Sequence, residues 1–95
     1  MKDRNALVTG STRGIGAAVA EALAAEGCNV MLSGFGETAA IEAERERLAR
    51  QYGVSVAYNP ADLNEETDCD SLVEATVGAF GSVDILVNNA VIRYF

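Results

Sequence analysis

The stretch TGSTRGIG, from Thr9 to Gly16, stands between a short apolar run and a segment of helical period. A strand, a glycine-rich turn and a helix in this order form a phosphate-binding geometry, because free backbone N–H groups and the positive end of the helix dipole face the anion. Gly10 is expected to permit the tight turn, Gly14 to let a pyrophosphate approach the backbone, and Gly16 to let the helix pack close to the sheet. The stretch therefore predicts an anion-binding loop.

The glycine spacing alone leaves an alternative open. It is G-x-x-x-G-x-G, which differs from the G-x-G-x-x-G of the standard dinucleotide fingerprint. No Gly-Lys-Ser or Gly-Lys-Thr follows, so a Walker-type phosphate loop is disfavoured. The glycines could also serve only a sharp strand-to-helix turn, and the flanking strand and helix patterns favour binding over that alternative.

Outward from this turn, apolar runs of strand length alternate with segments of helical period. We predict strands at residues 5–10, 28–34, 54–58 and 83–89. Helices are expected from Ile15 to a stop at Gly27, from residue 38 to a stop at Gly53, and over residues 64–81 with Asn64 as the N-cap. The predicted inward-facing residues of these helices are Ile15, Ala18, Val19, Ala22 and Leu23 in the first, Ile41, Leu48 and Tyr52 in the second, and Leu72, Val73, Thr76, Val77 and Phe80 in the third.

The resulting order β-α-β-α-β-α-β, with apolar strands, predicts an α/β fold with a parallel sheet covered by helices on both faces. Right-handed crossovers place the four strands in the order 3-2-1-4, as in a doubly wound fold. The crevice at the carboxyl ends of strands 1 and 4 is then the ligand-binding switch point. The glycine turn lies at that crevice.

Composition narrows the class of protein. A chain of 95 residues with 49% apolar and 22% charged residues fits one folded domain, with no second domain. The formal charge of −7 argues against nucleic-acid binding. Cys28 and Cys69, with no histidine in the chain, indicate neither a metal site nor a disulfide framework. The amino-terminal apolar run is too short for a signal peptide and no stretch is long enough to span a membrane, which predicts a cytoplasmic protein.

Three motifs together carry a family resemblance. TGSTRGIG, ADL at 61–63 and NNA at 88–90 resemble, in the right order, the TGxxxGxG turn, the adenine-contacting Asp and the NNAG motif of short-chain dehydrogenases/reductases. The resemblance covers the whole chain but only the first part of a family member, so residues 1–95 are expected to form an incomplete NAD(P)-binding Rossmann domain. Within the family, GFGETAAIEAERERLARQYGV at 34–54 resembles bacterial D-3-hydroxybutyrate dehydrogenases, although Ser33 stands where Asn is expected. Reductases of 3-oxoacyl carrier-protein substrates are the nearest alternative.

The resemblance implies a set of cofactor-binding residues. Asp62 would accept a hydrogen bond from the adenine amino group, with the Leu63 backbone beside it, and Asn88 would tie strands together. Helix capping by Asp62, turn formation by the Asn pair and loop packing by Phe35 are the alternatives. The full set implied to contact the dinucleotide is Gly10, Ser11, Thr12, Arg13, Gly14, Ile15, Gly16, Phe35, Asp62, Leu63, Asn88, Asn89 and Ala90.

The choice of cofactor rests on the end of strand 2. An acidic residue there would bond the ribose 2'-hydroxyl and select NAD, but Ser33, Gly34 and Phe35 occupy these positions. Arg13 could pair with a 2'-phosphate, which would favour NADP. The hydroxybutyrate-dehydrogenase resemblance implies NAD, which is the cofactor we expect, with NADP as the alternative.

The catalytic residues of the family have no counterpart in this sequence. Family chemistry uses a Ser, and a Tyr whose pKa is lowered by a Lys in a YxxxK helix, because a phenol of pKa near 10 is a poor base at neutral pH. The only lysine is Lys2, and no YxxxK occurs. We therefore assign no catalytic residue and expect the cofactor-binding portion of a homo-oligomeric oxidoreductase. A free-standing nucleotide-binding or interaction module is the alternative. Val91 replaces the Gly of NNAG, and because a β-branched residue strongly disfavours positive φ, this turn is expected to run through ordinary β or α backbone values.

Overall fold

The computed structural model describes residues 3–12, 14–34, 36–60 and 66–87. Strands and helices alternate along the chain, as the hydrophobic pattern predicts. The elements are β1 (Asn5–Val8), α1 (Gly14–Ala25), β2 (Asn29–Ser33), α2 (Thr38–Tyr52), β3 (Val56–Asn59), α3 (Glu66–Phe80) and β4 (Ile85–Val87).

The four strands form one parallel sheet in the order β3-β2-β1-β4. Leu7 of β1 lies in register with Met31 of β2 and with Leu86 of β4. The predicted strand order is confirmed. β4 is an edge strand of this sheet, and its Leu86 side chain is 58% exposed.

The two faces of the sheet carry separate clusters of apolar side chains, because successive residues of a strand point to opposite faces. On one face, α1 and α2 pack against Ala6, Val8, Val30 and Leu32. On the other face, Leu72 of α3 packs against Leu7 and Met31. Helices on both faces bury every residue of β1 and all of β2 except its first residue, Asn29, which explains why β1 reads as a nearly continuous apolar run.

The face of α1 that meets the sheet differs from the predicted one. Leu23 is buried as predicted and Val19 is partly buried, but Ala18 and Ala22 are exposed and Ile15 is 76% exposed. The buried residues are instead Gly16, Ala20, Leu23 and Ala24. Three of these are small and spaced by four residues, so the helix axis lies close to the sheet. The spacing of apolar residues could not show which face of α1 is buried, because nearly every residue of this helix is apolar.

Helix α2 meets the prediction, since Ile41 and Leu48 are buried and Tyr52 is partly buried. It ends at Gly53, which adopts the left-handed conformation (φ 67°) and donates its N–H to the Ala49 carbonyl at 2.9 Å. In this position a glycine avoids the steric cost that a Cβ would add.

Helix α3 presents a narrower face to the sheet than predicted. Leu72 and Thr76 are buried and Phe80 is partly buried, but Val73 and Val77 are 41% and 44% exposed. Thr76 can be buried because its hydroxyl donates to the Leu72 carbonyl at 2.7 Å. The Val73 and Val77 predictions are therefore wrong, since these residues lie about 100° around the helix from Leu72 and Thr76. The predicted cap Asn64 lies outside the described residues.

Asn5 joins the amino-terminal ends of the strands. Its backbone N–H donates to the Asp84 carboxylate at 2.9 Å, and its side-chain amide donates to the Ser82 hydroxyl at 2.9 Å. Asn29 donates to the Asn5 side-chain oxygen at 2.9 Å and accepts from the Ser55 N–H at 3.0 Å. These bonds link β1, β2 and the residues just before β3 and β4, so they hold the register of the sheet from the end opposite the glycine turn.

Asn5→Ala is expected to lower the free energy of unfolding by about 2–3 kcal/mol, because three side-chain bonds are lost and their partly buried partners are left unsatisfied. Urea denaturation followed by circular dichroism measures the change. Asn29→Ala serves as the comparison, and its cost should be smaller because that side chain is only partly buried. A loss below about 0.5 kcal/mol for Asn5→Ala would show that the network does not stabilise the sheet.

Candidate nucleotide-binding site

The glycine turn begins where β1 and β4 meet at the carboxyl edge of the sheet. The Thr9 N–H donates to the Val87 carbonyl at 3.0 Å. Gly10 and Gly14 both have positive φ, 60° and 65°, a conformation that non-glycine residues adopt at a cost. Among the described residues, a Cβ placed on Gly14 would find no atom within 4 Å. The turn therefore exposes open backbone at the start of α1, where N–H groups and the helix dipole favour an anion.

Ser11 fastens this turn to the end of β2. Its N–H donates to the Ser33 carbonyl at 2.7 Å, its hydroxyl donates to the Val8 carbonyl at 2.7 Å, and the Ser33 N–H donates back to the Ser11 hydroxyl at 3.0 Å. Ser11 is buried. Its N–H and its hydroxyl therefore fix the shape of the turn. Both of its donors are engaged within the protein, and the contact of Ser11 with a dinucleotide stays a prediction.

The chain leaving β2 is held from two sides. A Cβ on Gly34 (φ 143°) would lie 2.7 Å from the Thr12 hydroxyl oxygen, so only glycine fits beside the turn. The Tyr58 hydroxyl of β3 donates to the Gly34 carbonyl at 2.6 Å. Burial raises the pKa of Tyr58, which keeps this hydroxyl protonated and able to donate. The buried Ser33 hydroxyl next to Gly34 has no hydrogen-bond partner within the described residues.

A pocket of about 160 Å³ lies between the glycine turn and the first turns of α2. The turn contributes Ser11 and Thr12 to its wall, and Glu37 and Glu44 are its charged residues. The described residues that line it are Ser11, Thr12, Leu32, Gly36, Glu37, Ala40, Ile41 and Glu44. The space therefore adjoins the backbone predicted to carry a pyrophosphate.

Glu44 is held at this pocket by a network of charged side chains. Arg47 donates to Glu44 and, at 3.2 Å, to both carboxylate oxygens of Glu21 on α1. The Tyr52 hydroxyl also donates to Glu21, at 2.7 Å. The hydrogen bonds from Arg47 hold the pKa values of Glu44 and Glu21 below their usual range. Both carboxylates are therefore ionised at neutral pH.

The structure brings several of the sequence-predicted binding residues together. Gly10, Thr12 and Gly14 border one turn, the exposed Ile15 follows them, and Gly16 is buried against the sheet. The remaining predicted contacts fall outside the described residues, and they are Arg13, Phe35, Asp62, Leu63, Asn88, Asn89 and Ala90.

The sequence reasoning missed Glu37 and Glu44 as residues of the site. The family rule directs attention to an acidic residue at the end of strand 2 itself, whereas Glu37 stands at the N-cap of α2 and Glu44 lies two helical turns further on. The signal that could have found them is their spacing of seven residues, which returns a side chain to nearly the same helix face.

Other kinds of site receive no support from the part of the chain that the structure describes. None of its helices is long and apolar enough to cross a membrane. Within the same residues, no three His, Cys, Asp or Glu side chains are placed to hold a metal ion.

The fold and the turn define a class of protein, the doubly wound α/β proteins with a glycine turn at the switch point. Comparison with known proteins narrows the class, since the family model of the short chain dehydrogenases matches residues 4–94. The chain belongs to the short-chain dehydrogenase/reductase family.

Individual relatives agree with this family. The D-beta-hydroxybutyrate dehydrogenase of Cupriavidus necator is 40% identical over 94 residues, which cover 99% of this chain and 36% of that enzyme. The structure of L-sorbose reductase from Gluconobacter frateurii, complexed with NADPH and L-sorbose, superposes with a TM-score of 0.87 at 33% identity, over 98% of this chain and 35% of that one. The structure of a 3-oxoacyl-[acyl-carrier protein] reductase from Brucella melitensis superposes with a TM-score of 0.82 at 39% identity, over 94% of this chain and 35% of that one. The chain thus spans about a third of the length of these relatives.

Proposed function

We propose that this chain is the dinucleotide-binding amino-terminal portion of a short-chain dehydrogenase whose parent activity is the NAD-dependent oxidation of 3-hydroxybutyrate to acetoacetate. The observation that carries the proposal is the glycine turn, which leaves open backbone at Gly14, the first residue of α1. When bound, the nicotinamide ring would accept the hydride removed from the hydroxyl-bearing carbon.

The residues of this chain would bind and orient the cofactor. In the proposal the turn from Gly10 to Gly16 carries the pyrophosphate, since its positive-φ glycines leave no side chain between the backbone and the anion. Hydrogen bonds from Ser11 to the end of β2 and from Tyr58 to Gly34 keep the turn and the neighbouring loop in place without a ligand. Such preorganisation reduces the entropy lost on binding.

The adenosine contacts in the proposal come from the family resemblance. Asp62 and Leu63 would hold the adenine, while Phe35, Asn88, Asn89 and Ala90 would border the ribose and the strand ends. Arg13 would lie beside the phosphates. No catalytic residue is assigned, because the sequence contains no YxxxK. The cytoplasmic location and the homo-oligomeric state of the parent remain predictions.

A second candidate is the binding portion of a 3-oxoacyl carrier-protein reductase, favoured by the 39% identity to the Brucella melitensis enzyme. The hydroxybutyrate reaction is preferred because of the 40% identity to the Cupriavidus necator enzyme and the resemblance at residues 34–54. A binding module without catalysis is the third candidate.

Titration of the purified chain with NADH, followed by nicotinamide fluorescence and by calorimetry, tests the binding part of the proposal. Saturable binding at one site is expected, and no saturable signal with either NADH or NADPH would overturn it. The parent reaction is tested with a polypeptide that contains this chain and a YxxxK helix. NADH formation from NAD⁺ should depend on 3-hydroxybutyrate, and dependence on a 3-oxoacyl substrate with NADPH instead would favour the second candidate.

A further inference from the structure

We propose that Arg45 shields the outer edge of the sheet, and that it thereby keeps β3 from pairing with the β3 strand of a second copy of this chain. β3 is an edge strand, because the sheet has the order β3-β2-β1-β4. An edge strand presents unpaired N–H and C=O groups, onto which a strand of another molecule can add. The shielding acts at Val56, the first residue of β3, at the end of the sheet opposite the glycine turn. It is therefore separate from the proposed dinucleotide binding.

The register of the sheet shows which backbone groups of β3 lie at this edge. Val30 of β2 lies opposite Val56, and the Val30 N–H donates to the Ser55 carbonyl at 3.0 Å. In a parallel pair a residue bonds to the two neighbours of the residue opposite it, so the backbone groups that face β2 are those of Ser55 and Ala57. The N–H and C=O groups of Val56 and Tyr58 therefore point away from the sheet, towards any strand that adds to this edge.

Arg45 of α2 binds the first of these outward carbonyls. Its Nη1 donates to the Val56 carbonyl oxygen at 3.1 Å, and its Nε donates to the Glu42 carboxylate at 2.7 Å. Glu42 therefore holds the guanidinium over the edge of β3. A strand that added here would have to displace the guanidinium from Val56 or bury its charge, and burying a charge without new partners is unfavourable. Arg45 thus opposes strand addition both by its charge and by its hydrogen bond.

The position of the only proline in the sequence restricts pairing at the same edge. Outward backbone groups recur at every second residue, so position 60 would supply the next outward N–H after Tyr58. Pro60 stands there and has no N–H to donate. Two copies of β3 related by a two-fold axis would then pair Val56 of one copy with Tyr58 of the other, and each such pair exchanges two hydrogen bonds. Both pairs need the Val56 carbonyl that Arg45 occupies.

The variant Arg45→Met tests the proposal in the whole chain, because methionine keeps an apolar stem but has neither the charge nor an N–H donor. Sedimentation velocity over a range of concentrations should show self-association at least about tenfold tighter than that of the unmodified chain. The substitution removes a positive charge from a chain of formal charge −7, so general repulsion between copies cannot explain tighter association. On association, amide hydrogen exchange at Val56 and Tyr58 should slow by about tenfold or more.

Arg50→Met is the matched control, because Arg50 is an exposed arginine on the same helix, about 140° around its axis from Arg45. It removes the same charge and should leave both measurements unchanged, as should Arg45→Lys, which keeps a charged donor. Unchanged association of Arg45→Met, or association without slower exchange at Val56 and Tyr58, would overturn the proposal. Slower exchange of these two amides in the unmodified chain as its concentration rises would also overturn it, and that measurement does not require the variant to fold.

Discussion

Gly14→Ala is expected to weaken dinucleotide binding by about tenfold to a hundredfold while leaving the protein folded. Gly14 has a φ of 65°, so an alanine there costs about 1 kcal/mol of backbone strain. The added methyl group meets no atom of the described residues within 4 Å, so it does not disturb the core that they form. It would occupy the space in which the pyrophosphate approaches the backbone. Titration with NADH measures the loss, and urea denaturation measures the stability.

Gly53→Ala provides a matched control for the strain. Gly53 has nearly the same φ, 67°, and the same absence of protein atoms within 4 Å of a Cβ, but it lies at the carboxyl end of α2. Both variants should lose similar stability, whereas only Gly14→Ala should lose binding. Equal NADH affinity in the two variants would show that the pyrophosphate does not approach Gly14.

Gly34→Ala is expected to lower the free energy of unfolding by about 2–4 kcal/mol, which is a large part of the stability of a small domain. The new Cβ would lie 2.7 Å from the Thr12 hydroxyl oxygen and 3.2 Å from the Thr12 methyl carbon. The φ of 143° adds strain for any residue with a Cβ. Because Thr12 must move, the turn is displaced and NADH affinity should fall as well.

A double-mutant cycle with Thr12→Ala separates the steric contact from the backbone strain. Thr12→Ala removes the two side-chain atoms that would lie nearest to the new Cβ, so the double variant Thr12→Ala/Gly34→Ala should lose less stability than the sum of the two single variants. The stability that the double variant still loses relative to Thr12→Ala alone measures the backbone strain at a φ of 143°. Strict additivity of the two variants would mean that Gly34 does not hold Thr12 in place, and that the loop after β2 tolerates a side chain.

The two glycines shape the edge of the sheet at which the proposed cofactor site lies. Gly14 keeps the phosphate face of the turn open, and Gly34 lets the chain after β2 pass close to Thr12. Ser11 and Tyr58 then fix these two segments by hydrogen bonds to the end of β2 and to Gly34. These contacts join three neighbouring segments at one edge of the sheet, namely the glycine turn, the end of β2 and β3, so the geometry of this edge depends on the sheet.

The fold could be predicted because its signals are local and mutually consistent. Apolar runs of strand length, a glycine stop at Gly53 and the order of the segments were enough to predict the β3-β2-β1-β4 sheet. The glycine turn was likewise recognisable from TGSTRGIG, since the need for positive φ at Gly10 and Gly14 restricts those positions to glycine. Membership in the family followed from three motifs in their order along the chain.

The residues that each helix turns towards the sheet could not be predicted from local sequence signals in the same way. Helix α1 is apolar almost all round, so its periodicity could not show that Gly16, Ala20 and Ala24 meet the sheet while Ile15 remains exposed. In α3, valine and threonine alternate along the predicted face, and only packing against Leu7 and Met31 selects Thr76 over Val73 and Val77. Close approach to a sheet favours small residues, and that requirement is visible only when the sheet is in place.

By itself the sequence determined the element order, the parallel sheet, the glycine turn and the family, because each rests on the conformational limits of residues close together in the chain. The tertiary structure alone decided that Glu37 and Glu44 share a pocket with Thr12 and that a Cβ on Gly34 would collide with Thr12. Segments more than twenty residues apart become neighbours there only because β1 and β2 lie side by side and end at the same edge of the sheet.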